Sequence, residues 1–207
     1  VFEGNIAESR TLAQMLDRLV LPGEKVSPVV ILDAGFASQN NIDLLKERGL
    51  GYLINITRGS RTRQAKDFAA GGFTLVPGRD AKDPVEVKTL DDPDQPGGFL
   101  ILCRSALRRA KEIAMLSRAE TRLLADIASL RKNIEEGRIK KRDVIERRIG
   151  RLQKKHPRVA RFYTLVHKNG TLSATRDDEK HRDANDLCGD YVLKTEQSMD
   201  ATKIWSL

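Results

Sequence analysis

The sequence is poor in the residues that build several common protein classes. Only two cysteines occur, Cys103 and Cys188. They cannot make a disulfide framework, and they lack the clustered spacing of a zinc site. Such usage suits a reducing, cytosolic-type interior. Long apolar runs are missing too. With 32% charged residues and a mean hydropathy of -0.44, no stretch reads as a membrane span. There is no signal-like segment, no initiating Met, no internal repeat and no low-complexity tract. The opening VFEGN reads as the tail of an element already under way, so the chain is expected to be a fragment. Hydrophobic residues, 40% of 207, nevertheless recur in regular blocks, which excludes wholesale disorder. That length suits one ordinary domain, or a compact domain carrying an insertion.

What the chain does carry is unevenly placed charge. Residues 104–161 hold 19 Lys and Arg against 7 Asp and Glu, a balance of +12 within a total of +8. The rest is therefore mildly acidic, at -4. A basic field confined to one stretch steers polyanions and displaces counterions from a phosphate backbone, which points to nucleic acid. The competing reading is a solvated helical face.

Hydrophobic periodicity predicts an α/β order. A helix is expected from Ser9 to about Val20. The run Val29-Val30-Ile31-Leu32 follows and reads as a strand buried on both faces, central between helices. A helix over Ser38–Arg48, stopped by Gly49, leads to a second buried strand, Tyr52 to Ile56. This order makes a parallel pair. Arg58, Arg61 and Arg63 fall in a loop containing Gly, Ser and Thr. Short strands are expected at 73–76, 85–90 and 99–103, with a turn over Asp91–Gly98. A long helix from Ser105 to Glu136 and a second helix stopped by Pro157 make an antiparallel hairpin turning at Gly137. A β-hairpin around Asn169-Gly170, a strand at 191–194 and a helix from Ser198 complete the reading.

Among candidate functional residues Asp33 stands out. Ligands and metals collect at the carboxyl ends of parallel strands, and Asp33 ends the first of them. The small residues Ala34 and Gly35 leave room for a metal and a phosphate, and magnesium accepts a site built from one or two carboxylates plus water. Asp before Gly also caps helices and closes turns, so a structural role stays open. His156, His167 and His181 lack partners at ligand spacing and read as structural, as do both cysteines.

The segment Phe2-Glu3-Gly4-Asn5, with Glu8-Ser9 and Thr11-Leu12, joined to VVILDAGFASQNNIDLLKERGLGYLI, resembles the catalytic domain of bacterial insertion-sequence transposases. These are DDE-class enzymes, in the group typified by insertion sequence four. DYVLKTEQSMDATKIWSL, at the other end, resembles the stretch leading into that group's catalytic-glutamate helix. The resemblance implies a ribonuclease-H-like fold in which three carboxylates hold two divalent metals for phosphoryl transfer on transposon ends. Asp33 matches the second carboxylate. The first belongs before Val1, and the glutamate, with its neighbouring Tyr, Arg and Lys, after Leu207. Glu196 lies too early to serve.

The resemblance thus implies an incomplete ribonuclease-H-like core over residues 1–57. An α+β insertion over 58–188 contains the basic helical hairpin 105–156, and 189–207 return to the core. Mg2+ or Mn2+ would be the cofactor, with Asp33 as metal ligand and catalytic residue. Partners would be double-stranded DNA and a second protomer in a synaptic dimer, with no membrane, in a bacterial cytoplasm close to the nucleoid. Arg58, Arg61, Arg63, Arg138, Lys140, Lys141, Arg142, Arg147, Arg148 and Arg151 are the candidate DNA contacts. Two other readings remain: a noncatalytic DNA-binding or dimerisation module built on the hairpin, and an unrelated α/β protein using Asp33 on a small phosphorylated ligand.

Overall fold

The computed structural model describes residues 11–18, 28–77, 84–198, 200 and 203. The chain divides into two compact units. One comprises Val1–Ala106 with Asp190–Leu207, the other Leu107–Gly189.

The first unit is a mixed α/β layer built on one sheet. Its strands are β1 (Val29–Leu32), β2 (Gly51–Asn55), β3 (Thr74–Val76), β4 (Val85–Asp91) and β5 (Phe99–Ser105). Two further strands, β6 (Tyr163–Lys168) and β7 (Thr171–Arg176), belong to the second unit, and β8 (Asp190–Thr195) returns to the first. The six-stranded order is β1-β2-β8-β5-β4-β3. Only β1 and β2 run parallel, in the register Val29↔Gly51 to Leu32↔Ile54; β8 pairs antiparallel with both β2 and β5. Strands 74–105, read from the sequence as part of the insertion, therefore share a sheet with the opening parallel pair.

Alternation along β2 supplies two cores. Tyr52 and Ile54 pack with Leu12 and Leu16 of α1 (Leu12–Arg18) and Ile42 and Leu45 of α2 (Gln39–Glu47). Leu53 points to the opposite face, with Val76, Val85, Val87, Ile101 and Cys103. Between β2 and β3 lie α3 (Arg58–Arg63) and α4 (Ala65–Ala69). Phe68 of α4 is buried, and the Arg104 guanidinium lies over the Phe73 ring, 4.7 Å from its centroid.

Several expectations change here. β1 forms, but it is not central: among the described residues it pairs only with β2, and Ile31 is 57% exposed. A four-residue apolar run carries no information about which edge of a sheet it occupies. The segment with Arg58, Arg61 and Arg63 is helical rather than a loop. Pro157 does not merely stop a helix; it begins α7 (Pro157–Ala160), where its fixed φ and missing N–H suit the first helical position. His181 lies in α8 (Asp178–Asp186). The Phe2–Ser9 motif, the end of the helix expected to reach Val20, and most of the helix expected after Ser198 lie outside the described residues.

At the amino end of β2 a polar cluster joins three distant segments. Gln95 Nε2 donates to the Tyr52 hydroxyl (2.9 Å) and also bonds Glu196, which pairs with Lys46 of α2. Burial pushes the Tyr52 phenol up to about 12 against the lowering effect of the Gln95 bond. Thr195 Oγ1 donates to the Tyr52 carbonyl at 2.6 Å.

The second unit is organised by α5 (Ala106–Glu135), a 30-residue helix, and α6 (Arg142–Lys155). Gly137 separates them, at φ 67°, a left-handed conformation in which glycine carries no Cβ penalty. Leu116, Leu123, Ile127, Leu130 and Ile134 of α5 recur at three- to seven-residue steps along one face. They form a single core with Ile145 and Ile149 of α6, Val159 of α7, and Phe162 and Leu172 of the β6–β7 ribbon. That ribbon turns at Asn169-Gly170, both residues at positive φ, as a type I′ turn requires. Half-buried polar groups tie its rim. Glu120 accepts from the Tyr163 hydroxyl (2.6 Å) and lies 3.3 Å from the His181 ring. Burial raises the Glu120 carboxyl, but the Tyr163 bond and the His181 and Arg176 charges outweigh it, leaving the group below the usual carboxylate range. Glu112, also buried, accepts from Gly189 N–H (3.3 Å) and from Arg108 (3.1 Å).

Two outcomes test this packing. Leu123 is fully buried in the second core, so Leu123→Ala should cost about 2–5 kcal/mol by chemical denaturation of the whole chain. In an alkaline absorbance titration the Tyr52 phenol should ionise near pH 12 rather than near its ordinary value of 10. Tyr52→Phe should remove part of that late transition and leave any earlier one.

Candidate active site

Asp33 leaves the carboxyl end of β1 with its side chain exposed. Its Oδ1 accepts from the Ala34 N–H at 2.7 Å and caps the short 3-10 turn Ala34–Phe36. The chain re-enters helix directly afterwards: Ser38 caps α2, its Oγ accepting from Asn41 N–H at 3.4 Å. The buried Asn41 side chain donates to the Phe36 carbonyl (3.0 Å), so the helix holds the turn that carries Asp33. Sequence reading missed this role, since Gln39-Asn40-Asn41 offers no pattern marking one amide as buried.

A carboxylate has lone pairs on two oxygens, and one N–H bond uses only a fraction of that capacity. Asp33 is neither sealed inside nor saturated by amides. Among the described residues, however, no group of three or more His, Cys, Asp or Glu could hold a metal ion together. Glu196 cannot supply a partner carboxylate. The register Ile54↔Lys194 puts it beside Tyr52 at the amino end of β2, whereas Asp33 follows the carboxyl end of the parallel neighbour β1.

Past the carboxyl end of β2 lies a cleft of about 440 Å³, lined by Gln39, Thr57, Ser60, Arg63, Asp94 and Lys194 among others. Asp33 is not part of its wall. Lys194 is paired with the buried Asp92 across 2.7 Å, a contact between two sheet-face segments that the turn-like Asp91–Gly98 run did not suggest. Asp92 Oδ1 also accepts from Asp94 N–H at 2.9 Å, which shapes one lip of the cleft.

The structure treats the expected arginines differently. Arg61 Nη1 donates to the Asp190 carbonyl at 3.3 Å, tying α3 to β8. Arg63 is well exposed at the cleft, 3.8 Å from the Asp94 carboxylate. Arg58 begins α3, and its side chain lies outside the described residues. The others sit in the second unit, all exposed. Arg138 pairs with Glu136 (3.0 Å) and Arg147 with Asp143 (3.3 Å); Arg148 and Arg151 line a depression between α5 and α6. Lys140, Lys141 and Arg142 occupy the turn and the start of α6. Among the histidines, His156 Nε2 lies 2.7 Å from Asp126, and His181 packs edge-on to Phe162.

No helix among the described residues is long and apolar enough to cross a membrane. No curated protein and no solved structure matches the chain. A family model does, that of the transposase DDE domain, and the match runs from residue 1 to 167. It takes in Asp33, the parallel β1–β2 pair, the cleft wall apart from Lys194, and both long helices. The chain therefore belongs to the transposase DDE domain family, whose substrate is DNA.

Proposed function

We propose that the chain contributes to metal-dependent phosphoryl transfer in DNA transposition, cutting and joining strands at transposon ends, with Asp33 as a catalytic, metal-binding carboxylate. The supporting observation is its place: an exposed acid at the carboxyl end of the first of two parallel strands, held by a capped helix, inside a matched DDE domain. In this reading residues 1–57 and 189–207, with β1, β2 and β8, are an incomplete ribonuclease-H-like core of the insertion-sequence-four type, whose sheet β3–β5 extend. Residues 58–188 are its insertion, with 105–156 as an antiparallel helical hairpin.

Hard cations prefer carboxylate oxygen, and the free lone pairs of Asp33 suit one coordination position of Mg2+ or Mn2+. Other ligands would have to come from beyond the described residues. When bound, such a metal would supply charge stabilisation to an in-line displacement at phosphorus. The chain's own contribution is support: the Ala34 N–H bonds one carboxylate oxygen, and the Asn41 side chain braces the turn that follows through the Phe36 carbonyl. Arg63, with Arg58 and Arg61 on the same short helix, and the basic surface of Arg138, Lys140, Lys141, Arg142, Arg147, Arg148 and Arg151 would engage DNA phosphates of a double-stranded substrate. Transposon ends would be joined in a synaptic homodimer within the bacterial cytoplasm, at the nucleoid.

The cap on Asp33 also favours a second reading, a noncatalytic DNA-binding or dimerisation module in which the acid only closes a turn. Asp33→Asn in transposition-competent protein separates the two. Asparagine keeps an oxygen for the Ala34 N–H but removes the negative charge. Loss of strand cleavage on a transposon-end duplex, with end binding unchanged within about two-fold, is expected. Retained cleavage would sink the catalytic assignment.

A further inference from the structure

The second unit carries a groove that the catalytic reading does not use. Two depressions, about 360 and 540 Å³, lie along α5 and share Asp126 and Lys155. The first opens between α5 and α6 and contains Arg148 and Arg151; the second opens towards α7 and contains Arg122 and Arg158. Together they follow α5 from Ala119 to Asn133, about 21 Å at the helical rise.

The groove's ion pairing is lopsided. Asp126 is the sole carboxylate in either lining, and it is already engaged by Lys155 Nζ (2.7 Å) and the His156 ring (2.7 Å). Among the described residues no ion pair or hydrogen bond engages Arg122, Arg148, Arg151 or Arg158. Elsewhere in this unit Arg108, Arg109, Arg131, Arg138, Arg147 and Arg176 are bonded, and Arg118, Arg142 and Arg182, which share the unpaired state, lie outside both linings. Four guanidinium groups without counter-ions, two on each side of one neutralised bridge, give the groove a positive field that attracts polyanions. Their distribution over both depressions fits an extended anion better than a single small one. Guanidinium forks match phosphate oxygens in two-point contacts, and Ala119, Ala125 and Ser129 keep the α5 wall low enough for close approach.

We infer that this groove seats the sugar–phosphate backbone of duplex DNA, with Arg122 and Arg158 contacting phosphates on one side of the Asp126–Lys155 bridge and Arg148 and Arg151 on the other. The inference rests on the DNA-acting reading above and deepens it. It assigns two arginines that the basic run alone did not single out, and it places the track along the α5 groove rather than at the Gly137 turn. About 21 Å of groove corresponds to roughly six phosphates of one strand at 3.4 Å spacing, room enough for four contacts.

The test measures binding of the whole chain to a fluorescein-labelled duplex of arbitrary sequence, roughly 20 base pairs long, by anisotropy across a salt series. Arg122→Gln with Arg158→Gln should weaken Kd about ten-fold or more at 0.1 M salt. It should also flatten the log–log salt slope by about 1.8, at roughly 0.9 per lost phosphate contact. Arg148→Gln with Arg151→Gln should do the same from the other depression. Lys111→Gln with Lys168→Gln removes equal charge from exposed sites outside the groove and should leave the slope unchanged. Equal losses in the groove and control pairs would mean diffuse attraction and overturn the groove while leaving DNA binding standing. Wild-type chain that fails to bind the duplex at low salt would remove both proposals together. Poly-glutamate binding that depends on the groove arginines, with duplex binding indifferent to them, would reassign the site to an acidic polypeptide.

Discussion

The pairing of β8 on both of its edges is the constraint on which the first unit depends. β8 lies between β2 and β5, and β2 has no other route to the antiparallel strands. Remove it and the sheet separates into a parallel pair and a three-stranded meander. Its contacts are long-range, since Ile54 meets Lys194 and Cys103 meets Tyr191, with the entire second unit intervening between β5 and β8. Closing such a loop costs chain entropy that grows only slowly with length, so an insertion of this size is tolerable if the returning strand is well held. Polar contacts hold it at both ends. Asp190, almost fully buried, meets Arg104 at 3.2 Å, while its carbonyl accepts from Arg61; at the other end Thr195 bonds the Tyr52 backbone. Between them Lys194 meets Asp92.

That arrangement separates two arginine groups with similar sequence texture. Arg61 and Arg104 both bond β8, which in turn sets the parallel β1–β2 pair whose carboxyl end carries Asp33. The exposed arginines of the α5 groove have no such obligation. The first unit carries an exposed carboxylate on a capped turn, and the second carries exposed, unpaired arginines over a helical core.

Several features were readable from residue order alone. Ser38 as a cap, Gly49 and Gly137 after helix ends, and Asn169-Gly170 between alternating segments all act within a few residues, through φ preferences and local hydrogen bonds. Their elements appear within two residues of the expected bounds. Less local features were not readable. α3, α7 and α8 are short or polar and leave no apolar period. The reading of β1 as a doubly buried strand failed because four apolar residues record hydrophobicity but not neighbours. The buried status of Asn41, Asp92 and Glu112 depends on what other segments bring to them.

For the site itself, the type and approximate place of Asp33 came from its neighbours in the chain: a β-branched run before it and small residues after it. Only folding could establish that the acid stays exposed, that Asn41 braces its turn, and that Glu196 is carried to the opposite end of β2. The surplus of basic residues in 104–161 was likewise countable from composition. Which arginines are neutralised and which remain unpaired was decided in three dimensions, because ion pairing depends on distances between segments that sequence order does not specify.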